Sequence, residues 1–295
     1  MKVYINSKFV DEQEAKISIF NYGFLYGYGV YENIRVYNGR IFRLKEHLVR
    51  LLISAKNINL IINITQRQLE QAIIDTLLIN NLDNAIIKII LTVKCHPNSI
   101  NKSLQSEYEA TTLIIIATEE NNSICCLKQE LNGINVISYF CSIGRYEFLI
   151  PNTKSISYLN NILAKMEADK HNAKDAILLN HEGNIIGCSS SNIFIVKDEI
   201  IYTPSSFNGA LNGITRETVI ELARNKLKFV VQESKLNIYN IYNADECFCT
   251  STTNEIIPIV NVDLRDILYG KPGEITVKII KEFTNLVMST GTPIR

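Results

Sequence analysis

The 295-residue chain lacks a net charge: 30 lysines and arginines balance 30 aspartates and glutamates. No global field therefore draws it to nucleic acid or to an anionic membrane. It lacks the uninterrupted apolar run of about 18 residues that a transmembrane helix needs. The longest stretch, Ala85 to Val93, is broken by Lys88. The opening MKVYINSKFV has no long apolar core and predicts no signal peptide. Seven cysteines without zinc-ligand spacing, two of them adjacent at Cys125-Cys126, predict neither a disulfide framework nor a metal site. They predict a reducing, cytoplasmic setting. Glycine-rich phosphate loops, GxGxxG and HExxH are missing. Ser189-Ser190-Ser191 lacks the glycines of a nucleophile elbow. Nucleotide binding, zinc hydrolysis and serine hydrolysis are set aside, and there is no internal repeat. What remains is a globular, 46% apolar chain suited to a small molecule.

Two halves differ in pattern. The first predicts a strand at Val3 to Asn6 and a hairpin over Glu32 to Arg43 turning at Asn38-Gly39. Helices follow over Leu44 to Asn57 and after Thr65, where Thr65 and Gln68 have capping-box form. Strands at Ala85 to Val93 and Thr111 to Thr118 close this half. The polar Glu119 to Ser123 predicts a linker. The second half mixes strands (Ile134 to Phe140, Ala176 to Leu179, Asn192 to Val196, Ile200 to Tyr202, Phe229 to Val231, Glu246 to Thr250, Ile256 to Val262) with helices over Thr215 to Lys226 and Glu274 to Met288. Without a regular βαβ period, the fold class is α+β. The expected division is a small domain at 1–118, a linker at 119–126 and a large domain at 127–295.

The stretch from Pro151 to Ala168, PNTKSISYLNNILAKMEA, carries the main chemical signal. Lys154 precedes a helical pattern, and Tyr158 follows at a spacing that shares a helix face. An amine and a phenol side by side suit Schiff-base chemistry. LNGITR, Leu211 to Arg216, leads into an amphipathic helix. Gly213 permits close backbone approach, and the Ile214 and Thr215 amides would open an anion site; a plain turn glycine and cap is the other reading. CTSTTNE, Cys249 to Glu255, places four hydroxyls at a strand end, either a phosphate turn or a polar turn. Arg50, on the first helix with His47, is a third candidate for phosphate; His47 reads as structural.

Together these blocks resemble the class IV, fold-type IV, pyridoxal-phosphate aminotransferases. YGYGVYENIRVYNGRIFRLKEHLVRL, KSISYLNNILAKMEA, SSSNIFIVKDEIIYTP, LNGITRETVIELA, ADECFCTSTTNEIIPI and GEIT are similar to family blocks, in family order. The resemblance is greatest to branched-chain aminotransferases. It implies a two-domain fold, D-amino acid aminotransferase-like, with a small N-terminal α+β domain and a larger α/β-barrel-like C-terminal domain. It implies pyridoxal 5'-phosphate as cofactor, an amino acid and a 2-oxo acid as substrates, and a homodimer. It implies that Lys154 forms the Schiff base and that Tyr158 bonds to the ring's phenolic oxygen. Arg50, Ile214, Thr215, Ser251 and Thr252 would hold the phosphate, with Tyr31 and Thr253 on the substrate side. The implied reaction moves the amino group of an L-branched-chain amino acid to 2-oxoglutarate. The rivals are a D-amino acid aminotransferase, an aminodeoxychorismate-lyase-type enzyme, and a cofactor-binding protein with weak or no turnover.

Three departures mark the chain. Gly187 stands where the family pattern has the glutamate that pairs with the pyridine nitrogen. Losing such a charge-assisted bond costs on the order of 2–4 kcal/mol in the transition state. Ser189 or Cys188 is the candidate neutral replacement. Tyr28 replaces the aspartate of a YGDG block, and Thr92-Val93-Lys94 replaces TRG, leaving Lys88 or Lys94 as the charge for a substrate carboxylate.

Overall fold

The computed structural model describes residues 1–95, 108–120, 132–140 and 153–295, with the side chains of 94–95 and 108–110 also outside the description. The 121–126 part of the expected linker, Cys125-Cys126 and Pro151-Asn152 lie outside the described residues. Two compact units emerge. The first is Met1–Asn121, Thr153–Tyr158 and Val287–Arg295; the second is Asn122–Asn152 and Leu159–Leu286. Two segments that the sequence division gives to the large domain, the Lys154 segment and the C-terminal tail, thus group with the first unit.

The first unit holds an antiparallel sheet in the order Thr292–Pro293, Arg40–Ile41, Gly29–Tyr37, Ala85–Cys95, Tyr108–Glu119, Lys2–Ile5, Lys8–Asp11. Asn38 and Gly39 both take positive φ (48° and 72°), so the strands reverse at the two residues that predict the hairpin. Alternation in Gly29–Tyr37 sends Val30, Ile34 and Val36 to one face, where they are fully or nearly fully buried. Helices Leu44–Asn57 and Gln66–Ile79 add Leu48, Leu51, Leu69, Ile73 and Leu77 to the same core. Thr65 opens the second helix with a full capping box. The hydroxyl of Tyr28, one of the family departures, donates to the Ile58 carbonyl at 2.7 Å, and its ring packs on this core.

The second unit carries a mixed sheet in the order Val231–Ser234, Ile200–Pro204, Asn192–Lys197, Glu246–Ser251, Glu255–Val262, Ile134–Phe140, Asp175–Leu179, Ile185–Cys188, with Arg265–Asp266 paired to Glu255–Val262. Helix Ile214–Glu221, continued by a wider turn at Leu222–Lys226, packs on strand Glu246–Ser251. The unit is mixed helix and sheet, as the α+β reading expects. Strand Ile185–Cys188 and the short helices Tyr22–Tyr26 and Ile238–Tyr242 have no counterpart in the sequence reading. Among the described residues no helix is long and apolar enough to cross a membrane.

Candidate functional site

Lys154 does not sit at the start of a helix. The helix begins at Leu159, and Thr153 to Tyr158 is not helical. Its backbone pairs instead with the edge of strand Gly29–Tyr37: Tyr31 N donates to Lys154 O at 3.0 Å, and Ile156 N donates to Gly29 O at 3.0 Å. Strand-edge amides compete for this segment and win over its helical spacing. The expected lysine–phenol neighbourhood survives by another route. Lys154 Nζ stands 4.5 Å from the centroid of the Tyr31 ring, and the Tyr158 ring meets the same ring edge-on at 6.3 Å. Lys88 Nζ lies 5.6 Å from that centroid. Lys94 is in strand Ala85–Cys95, but its side chain is outside the described residues.

Beneath this group is a buried ionic cluster. Glu32, fully buried on the core face of its strand, accepts from Arg50 Nε at 2.6 Å and Arg50 Nη2 at 2.8 Å. His47 Nδ1 lies 2.8 Å from the same carboxylate. Burial alone would raise the Glu32 pKa, yet the Arg50 charge and the His47 bond bring it down to about 2. Burial pushes the imidazole pKa of His47 down. The Lys154 ammonium is disfavoured first by burial and then by Arg50, against a smaller pull from Glu32, so its pKa falls to about 8. Burial and the Glu32 charge push the Tyr31 phenol up to about 12, so it stays protonated at neutral pH. Glu32 is absent from the sequence candidates. Its signal is a carboxylate at a core-facing position between Val30 and Ile34.

In the second unit, Gly213 caps helix Ile214–Glu221 without any side-chain cap. Asn192 Nδ2 donates to Leu211 O at 2.8 Å, and a Cβ on Gly213 would come 2.0 Å from Asn192 Oδ1. Only glycine allows that approach. The Ile214 and Thr215 amides are first-turn donors that the helix itself leaves unsatisfied. The strand that packs on this helix runs into the hydroxyl turn, where Ser251 Oγ accepts from Asn254 N at 3.0 Å and lies 3.4 Å from Thr253 Oγ1. Thr250 Oγ1 is buried with no partner among the described residues. An orphaned hydroxyl beside an uncapped helix start fits an anionic group such as a phosphate.

Gly187 has φ of 147°, a region that L side chains rarely adopt, and a Cβ there would lie 2.8 Å from the Ser191 carbonyl oxygen. The position has no room for the family carboxylate. Neither proposed neutral substitute stands free. Ser189 Oγ donates to Asp175 Oδ1, and Cys188 is buried with its thiol pKa pushed up by that burial.

The family model for class IV amino-transferases matches residues 29–262. A protein of Methanocaldococcus jannaschii named "Putative branched-chain-amino-acid aminotransferase" is 37% identical over 296 residues, covering 99% of this chain and 98% of that one. A D-alanine aminotransferase of Listeria innocua is 33% identical over 291 residues, covering 98% and 96%. The solved branched-chain amino acid aminotransferase of Escherichia coli superposes with a TM-score of 0.91 at 28% identity, covering 100% of this chain and 99% of that one. With the lowered lysine and the anion-ready helix start in place, the conclusion is that the chain belongs to the class IV aminotransferases, enzymes that use pyridoxal 5'-phosphate.

Proposed function

We propose that this enzyme transfers the amino group of an L-branched-chain amino acid to 2-oxoglutarate, with Lys154 as the amine that binds the cofactor. The observation that carries the role of Lys154 is its buried amine, held at a pKa of about 8 against the Tyr31 ring. When bound, the cofactor supplies an electrophilic aldehyde and an electron-withdrawing ring. Lys154 Nζ would supply the nucleophile for that aldehyde and the base that takes and returns a proton. A pKa near 8 leaves a useful fraction of free amine at neutral pH. Tyr158 would hydrogen-bond to the ring's phenolic oxygen. Ile214, Thr215, Ser251 and Thr252 would hold the phosphate through amides and hydroxyls. Arg50, held by Glu32, is the remaining residue proposed for the phosphate.

The substrate side is read from the sheet register. Tyr31 lies opposite Ile90, and Ile90 opposite Ile114, so one row of the sheet face presents an aromatic ring and two branched side chains. Such a row suits an aliphatic side chain. Lys88 shares that face through Asn33 and Ile116 and provides a point charge for a carboxylate. Thr253, beside Ser251 in the hydroxyl turn, is the residue proposed to face the substrate. Similarity to a branched-chain relative and to a branched-chain structure supports the same reading. The second reading, a D-amino acid substrate, draws on D-alanine relatives at 33% identity. Initial rates on L-valine, L-leucine, L-isoleucine and D-alanine with 2-oxoglutarate separate the two. Preference for the L-branched series is expected; turnover of D-alanine alone overturns the assignment.

A homodimer is part of the proposal. Leu159, Ile162, Leu163 and Met166 recur at helical spacing on helix Leu159–Lys170 and are all exposed, an apolar stripe suited to a second copy.

A further inference from the structure

Helix Leu44–Asn57 carries two stripes. Leu44, Leu48, Leu51 and Ala55 join the apolar core. His47, Arg50, Ser54 and Asn57 recur three or four residues apart, so they share an adjoining face. The first three are buried and Asn57 is half-buried. Buried polar side chains persist where a partner answers each of them. For His47 and Arg50 that partner is Glu32. For Ser54 and Asn57 it is the segment that holds the lysine. Lys154 N donates to Ser54 Oγ at 3.2 Å, and Asn57 Nδ2 donates to Thr153 Oγ1 at 3.1 Å.

The two polar groups of the Lys154 backbone are thereby held by different elements. Its carbonyl accepts from Tyr31 N on strand Gly29–Tyr37, and its amide donates to the helix. Ser157 Oγ, donating to Gly27 O at 3.0 Å, fastens the far end of the segment. Ser54 lies one turn after Arg50, so a backbone fixed to Ser54 is fixed to the element that bears the Arg50 charge. The groups around the amine are then set from each side: Arg50 and His47 from the helix, Tyr31 and Glu32 from the strand, Lys88 from the next strand, with Tyr158 against the Tyr31 ring. Arg50 and Lys88 disfavour the Lys154 ammonium and Glu32 favours it. Each influence falls with distance, so the balance depends on where the Lys154 backbone is held.

We propose that Ser54, seconded by Asn57, is the positioning residue of the cofactor-binding amine: it fastens the Lys154 backbone to the helix that carries Arg50 and so keeps Nζ over the Tyr31 ring and away from water. This rests on the reading of Lys154 as the amine that bonds to the cofactor. Without the hydroxyl, the Lys154 amide loses its acceptor on the helix. The segment then lifts from that helix, water reaches Nζ, and the ammonium is favoured again.

The test is competitive labelling of the full chain before cofactor is added. Trace acetic anhydride is supplied across a pH series, and the label on Lys154 is read by mass spectrometry. The parent is expected to give a midpoint near pH 8. Ser54→Ala is expected to raise the midpoint by about one pH unit, which leaves about tenfold less free amine at neutral pH. Asn57→Ala is expected to shift it in the same direction. A folded Ser54→Ala chain that titrates with the parent overturns the proposal even if its thermal midpoint falls, because lost packing lowers stability without moving the amine. So does a parent midpoint at the value of an ordinary lysine. If Ser54→Ala does not fold, Asn57→Ala decides: an upward shift supports the proposal and an unmoved midpoint overturns it. Borohydride reduction of the parent with pyridoxal 5'-phosphate reports separately. Label on a lysine other than Lys154 there removes the cofactor reading of Lys154, and the pH midpoints still show whether Ser54 positions the amine.

Discussion

A lysine gives up its proton more readily when water is withdrawn and other cations stand near. Lys154 meets both conditions, and each has a named source: the strand edge that buries it, and Arg50 with Lys88 beside it. Glu32 makes the arrangement possible by holding Arg50 in a bidentate fork, because an unpaired buried guanidinium would be far more costly. At Gly187 the constraint is steric. The backbone there has positive φ and faces the Ser191 carbonyl at 2.8 Å from a would-be Cβ, and a carbonyl cannot swing aside as a side chain can. Gly187→Ala is therefore expected to lower unfolding free energy by about 1–3 kcal/mol in urea titrations; an unchanged midpoint would show that the strand end adapts. By the same reasoning, a glutamate introduced at this position is expected to strain the strand and not to improve turnover.

At the scale of elements, the hairpin at Asn38-Gly39 and the capped helix after Thr65 are legible because local chemistry decides them: φ freedom in one case, a reciprocal side-chain cap in the other. The Lys154 segment is not. Ser155 and Ile156 tolerate either state, and the strand edge at Gly29 to Tyr31, 125 residues earlier in the chain by numbering of Lys154 against Gly29, supplies the deciding hydrogen bonds. Gly187 is legible as a vacancy in the family pattern, yet the positive φ that bars a side chain there is not. Helix Leu159–Lys170 leaves an apolar stripe exposed in the single chain. Sedimentation equilibrium is expected to give twice the chain mass for the parent and one chain mass for Leu163→Glu; a monomeric parent removes the dimer from the account.

At the scale of the whole molecule, each unit contributes a different competence. The first carries the lysine, its cations and the aliphatic row beside Tyr31. The second carries the uncapped helix start and the hydroxyl turn. The fold divides the block KSISYLNNILAKMEA after Tyr158, so the lysine and the helix that follows it belong to different units. The central claim is that Lys154 is the amine that bonds to the cofactor, and one measurement tests it most directly. The purified chain is incubated with pyridoxal 5'-phosphate, reduced with borohydride, digested and mapped by mass spectrometry. The account predicts stoichiometric label on the peptide containing Lys154 and none elsewhere, with Lys154→Ala unlabelled. Label on another lysine, or equal labelling of the parent and Lys154→Ala, would contradict it.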